Sequence, residues 1–68
     1  MDIKIRFGLK VKQYRKSKGL SQEKLANLAE IDRTYLPTIE KGARNVSIEV
    51  VDRLAIALNV TIIDLFDE

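Results

Sequence analysis

Two helix-sized stretches in the middle of this chain are separated by almost nothing. Ser21 followed by QEKLANLA reads as an N-cap and an amphipathic helix whose Leu25, Leu28 and Ala29 make one apolar stripe, ending near Ala29. Asp32 already reads as the cap of the next helix, which leaves only Glu30 and Ile31 as a connection. Helices joined so tightly must cross steeply, in a helix-turn-helix arrangement. With 68 residues the chain is read as one small domain, near the lower end of what folds without staples, so every apolar residue must count.

Punctuation at Gly19, near Asp32, at Gly42 and at Asn59 divides the sequence into five helix-sized pieces, with no internal repeat or linker. In the first piece Ile3, Ile5, Phe7, Leu9 and Val11 alternate as a strand would. Phe7, Val11 and Tyr14 nevertheless fall at helical spacing, and Lys16, Lys18 and Gly19 suit a helix end. A helix from Ile5 to Lys18 is expected, with Met1 to Lys4 extended or frayed. Ser47 caps a fourth helix that buries Val51, Leu54, Ala55 and Leu58 before Asn59 ends it. Thr61 to Asp64 is a capping box opening a last short helix. That helix carries Ile62, Ile63, Leu65 and Phe66, more apolar surface than one face buries; a second copy of the chain, or contact with Phe7 or Ile3, would cover the remainder.

Absences narrow the chemistry. Without Cys there is no disulfide framework or thiolate site, and without His the commonest general base and metal ligand is missing. No glycine-rich phosphate loop and no paired carboxylates stand out, so an enzyme, a cofactor or a metal is not expected. Charges run through the first residues and no apolar run approaches about 18 residues, so a soluble, cytoplasmic protein without a signal peptide or membrane span is expected. The net charge is only +2, but residues 1–20 hold seven Lys/Arg against one acid, whereas residues 46–68 hold one against five. Such asymmetry suggests a basic face oriented on a polyanion, or else a solvated surface with chance clustering.

On a wheel of 100° per residue, Leu36 and Ile39 of the third helix face inward, with Tyr35 at their edge. Thr34, Thr38 and Lys41 point away, flanked by Arg33 and Pro37. That outward surface carries donors, acceptors, methyls and cations and no acid, which suits base edges and phosphates. With Asp32 as cap, Pro37 would be the fifth helical residue. It would then bend or loosen the first turn, and Pro37→Ser should stabilise the domain.

The stretch GLSQEKLANLAEIDRTYLPTIEKG resembles the Cro/C1-type helix-turn-helix family, and RNVSIEVVDRLAIALNVTIIDLF resembles its fourth and fifth helices, so the likeness covers nearly the whole chain. Its most diagnostic parts are Leu20-Ser21-Gln22-Glu23 with Leu25-Ala26, and Ile39-Glu40-Lys41-Gly42. Asp32-Arg33-Thr34-Tyr35 with Arg44-Asn45 is most similar to the controller proteins of restriction-modification systems, or to a small prophage repressor. The resemblance implies an all-α, five-helix, lambda-repressor-like domain that regulates transcription by binding double-stranded DNA with its third helix.

It implies roles residue by residue. Arg33, Thr34, Thr38 and Tyr35 would meet bases, though Tyr35 could equally pack at the core edge. Gln22, Lys41, Arg44, Asn45 and Lys12, with Lys10 or Lys16, would hold phosphates. Arg15 and Glu40 would form a structural pair. Ile62, Leu65 and Phe66 would line a homodimer interface serving a palindromic or repeated operator, and no small-molecule ligand is expected in a chain with no room for an effector domain. The competing function is an antitoxin-like regulator whose last helix docks on a partner protein. The family often has Gly where this chain has Glu30, so Glu30 must either adopt a positive φ or sit in a different turn.

Overall fold

The computed structural model describes residues 2–67, and among them every regular element is helical. Helix α1 spans Ile3–Ser17, α2 Gln22–Ala29, α3 Tyr35–Glu40, α4 Ile48–Leu58 and α5 Ile62–Phe66. Helix α1 packs on α3 and α5, while α2 packs on α4 and α3, enclosing one core of Phe7, Val11, Leu25, Ala26, Ala29, Leu36, Ile39, Leu54, Ala55, Leu58 and Leu65. No helix of the described residues is long and apolar enough to cross a membrane.

Local chemistry sets most boundaries. The hydroxyls of Ser21, Ser47 and Thr61 accept from the backbone N–H three residues on, and the Asp64 carboxylate returns a bond to Thr61 N, completing the capping box. Left-handed Gly19 and Asn59 stop α1 and α4 as expected. The start of α1 differs from expectation. Asp2 caps it, its carboxylate accepting from Lys4 N at 2.7 Å, so Ile3 and Lys4 are helical instead of extended. Met1, also expected to be extended, lies outside the described residues.

Two expectations about packing are corrected, and one left open between two alternatives is decided. Leu28 is 50% exposed and Ala26 takes its place in the buried stripe of α2, because the stripe turns toward α4. Leu65 is fully buried and belongs to the chain's own core, so it is not an interface residue. Phe66 stacks on Phe7 with centroids 5.1 Å apart, which accounts for most of its apolar surface within one molecule.

Glu30 adopts φ 58°, ψ 44°, the left-handed conformation, and its N–H closes α2 on the Ala26 and Asn27 carbonyls. A side chain there costs roughly 1 kcal/mol relative to glycine. Glu30→Gly is therefore expected to stabilise the domain by about that amount, read as a rise in the denaturation midpoint with an unchanged slope.

Candidate nucleic-acid interface

The third helix begins later than its sequence suggests. The Asp32 carboxylate accepts from Thr34 N at 2.8 Å and from Thr34 Oγ1 at 2.7 Å, while Tyr35 N donates to the Asp32 carbonyl at 3.0 Å. These bonds close a separate turn ahead of the helix, and the two from Thr34 hold the Asp32 carboxyl below its ordinary value. Arg33 and Thr34 thus stand on a turn, and Pro37 is the third helical residue.

This placement answers the problem Pro37 poses. The first four N–H groups of a helix have no acceptor inside it, so an imino acid there forfeits no bond. The expected bend is not needed, and the expected gain from Pro37→Ser reverses. Serine would enlarge the conformational freedom of the unfolded chain, so the variant should lose up to about 1 kcal/mol. A clear rise in melting temperature would contradict this.

Beneath the ridge, Arg15 and Glu40 meet as a buried fork. Arg15 Nε donates to Glu40 Oε2 at 2.7 Å and Nη2 to Oε1 at 3.1 Å, while Nη1 donates to the Leu20 carbonyl at 2.8 Å. The Gln22 amide donates to Glu40 Oε1 at 3.0 Å. One carboxylate therefore joins α1, the start of α2 and the end of α3. Every donor aimed at Glu40 is charged or strongly dipolar, which offsets the cost of burying an acid.

Above this anchor the outward residues are not free-standing. Arg33 donates from Nη1 to Glu23 Oε2 at 2.8 Å, so an acid from α2 reaches a surface that carries none on α3 itself. The Arg44 guanidinium lies 4.3 Å over the Tyr35 ring, and its Nε donates to Thr38 Oγ1 at 3.0 Å. Thr38 in turn donates to the Tyr35 carbonyl at 2.8 Å. Thr34 is exposed, Thr38 is half-buried, and Lys12, Lys41, Arg44 and Asn45 are exposed. The Tyr35 ring is 38% exposed beneath Arg44 and is not among the side chains packed against the core. Lys10 is partly buried and Lys16 is exposed.

Of the dimer residues expected from α5, Ile62 is exposed, and Ile56 and Ile63, each 71% exposed, present more apolar surface than Leu65 or Phe66. The Glu23–Arg33 and Gln22–Glu40 contacts span 10 and 18 residues. No periodicity encodes them; only the short connection expected at 30–31, which in the structure runs from 30 to 34, hinted that the start of α2 lies beside α3.

A helix-turn-helix family profile matches residues 11–65. The chain belongs to the helix-turn-helix family, and its five-helix, lambda-repressor-like architecture is the one the sequence led us to expect. The relatives found in it are DNA-binding transcription regulators and not enzymes. Control protein C.MunI of Mycoplasma sp is 47% identical over 68 residues, 98% of this chain and 92% of that protein. The crystal structure of the restriction-modification controller protein C.AhdI from Aeromonas hydrophila superposes with a TM-score of 0.90 at 43% identity, covering 93% of this chain and 96% of that one. SinR, the master regulator for biofilm formation, in its complex with DNA superposes with a TM-score of 0.85 at 37% identity, covering 90% and 98% of the two chains.

Proposed function

We propose that this chain is a sequence-specific transcription regulator that binds double-stranded DNA in the major groove through residues 33–45 and acts as a homodimer on a palindromic or repeated operator. The observation that carries this reading is the set of exposed side chains Arg33, Thr34, Tyr35, Lys41, Arg44 and Asn45, rich in cations and hydroxyls, on a segment fixed from below by the Arg15–Glu40 fork. Similarity to control proteins, and to SinR as bound to DNA, supports it. Arg33 suits a bidentate bond to guanine, and the methyls of Thr34 and Thr38 suit thymine, with Tyr35 beside them. Gln22, Lys12, Lys41, Arg44 and Asn45 suit phosphates, which supply affinity without sequence information.

A single short helix reads few base pairs, so two copies a helical turn apart would supply useful affinity. Ile56, Ile62 and Ile63 are among the exposed apolar side chains of α4 and α5, and such a dimer would cover them. The work would take place in the cytoplasm.

The test is selection of bound duplexes from a random pool at two salt concentrations, with sedimentation of the protein alone. Enriched sites, a self-associating chain, and Arg33→Ala relaxing one position by roughly 1–3 kcal/mol are expected. Arg44→Ala should weaken all sequences alike. No enrichment at low salt would refute the reading.

A further inference from the structure

The guanidinium of Arg33 is held before any partner arrives. Its bond to Glu23 is 2.8 Å long, yet the two side chains remain 71% and 62% exposed. An ion pair so exposed adds little to folding. The α2 dipole favours an acid in the first turn, but that preference places no demand on Arg33. What the bond does fix is the direction of the guanidinium. Glu23 takes Nη1, and among the described residues nothing occupies the Nε and Nη2 donors, the side-on fork that Arg15 of this same chain uses to grip Glu40.

We propose that Glu23 is a positioning and specificity-determining residue: it holds one arm of Arg33 so that the Nε–Nη2 fork faces a guanine, and its charge opposes the phosphates of sites that lack one. This rests on the reading of the ridge given above. On a matching site the guanine takes the fork while Glu23 keeps Nη1, so the acid stays neutralised beside the DNA. On an unrelated duplex Arg33 must leave Glu23 to reach a phosphate, exposing an uncompensated carboxylate to the backbone. The penalty falls on wrong sequences, which is how repulsion generates specificity. It is strongest at low salt, where screening is weak.

The experiment uses the full chain as wild type, Glu23→Ala, Glu23→Gln, Arg33→Ala and the double alanine variant. Each is titrated with the selected duplex, with the same duplex carrying adenine at the guanine read by Arg33, and with an unrelated duplex, at two salt concentrations. Glu23→Ala is expected to lower discrimination between the first two duplexes roughly fivefold and to tighten binding to the unrelated one about twofold at low salt. Glu23→Gln keeps an acceptor without the charge, so it should retain part of the discrimination and still gain unrelated binding. In the Arg33→Ala background, removing Glu23 should leave discrimination unchanged. Wild-type discrimination in Glu23→Ala, where Arg33→Ala has lost it, would overturn the proposal and leave the DNA reading intact. Discrimination that survives Arg33→Ala would overturn both.

Discussion

Glu40→Ala is expected to leave the domain largely unfolded at 25 °C. Truncation strands the Arg15 guanidinium in a buried site with only the Leu20 carbonyl, and removes the acceptor of the Gln22 amide. Breaking a buried pair from one side costs about 3–5 kcal/mol. A core of this size rarely supplies more than about 3–5 kcal/mol of net stability, so the loss is comparable to the whole. Circular dichroism during urea titration reads it directly. Replacing both partners by apolar residues, Arg15→Met with Glu40→Leu, should recover much of the stability because no charge is then left alone. A drop of only a few degrees in Glu40→Ala would mean that water reaches Arg15 and that the fork is not the anchor.

Gly8→Ala is the second substitution with a large expected effect, and it runs against helix propensity. In an exposed helix interior, alanine gains up to about 1 kcal/mol over glycine. Here the added Cβ would stand 2.3 Å from the Ile39 carbonyl oxygen and 2.9 Å from that of Glu40. Both are backbone atoms of α3, so no side chain can swing away, and α1 and α3 must separate. Overpacking a core costs about 1–3 kcal/mol, and a clash with rigid backbone belongs at the upper end of that range, which outweighs the propensity gain. Gly19→Ala is the control: its Cβ meets nothing within 4 Å, so only the strain of φ +70° remains, about 1 kcal/mol. Equal melting temperatures for the two variants would contradict the close approach of α1 to α3.

The number of helices, the caps at Ser21, Ser47 and Thr61, and the stops at Gly19 and Asn59 were legible because each is decided within four residues of itself. The start of α3 was not, although its signal is equally local. Asp32 has two uses for its carboxylate, capping a helix or closing a turn on Thr34, and the sequence does not say which prevails. Periodicity also failed to separate Ala26 from Leu28, because a wheel gives a face but not the neighbour that covers it. Gly8 is one of the positions that alternate with Ile3, Ile5, Phe7, Leu9 and Val11, and nothing in that pattern reveals its role, which depends on where α3 passes. The same holds at the ridge: the residue types on it were readable, whereas Glu23 reaching Arg33 and Arg44 lying over Tyr35 depend on the crossing of α2 with α3 and the path of the loop after Gly42.

The most direct test of the central claim maps backbone amide shifts of isotopically labelled protein as the selected duplex is added. The account predicts the largest changes at Gln22, Arg33, Thr34 and residues 41–45, with the amides of the α1–α5 contact around Phe7 and Phe66 nearly unmoved. Large changes confined to α5, with Arg33 and Thr34 silent, would contradict it.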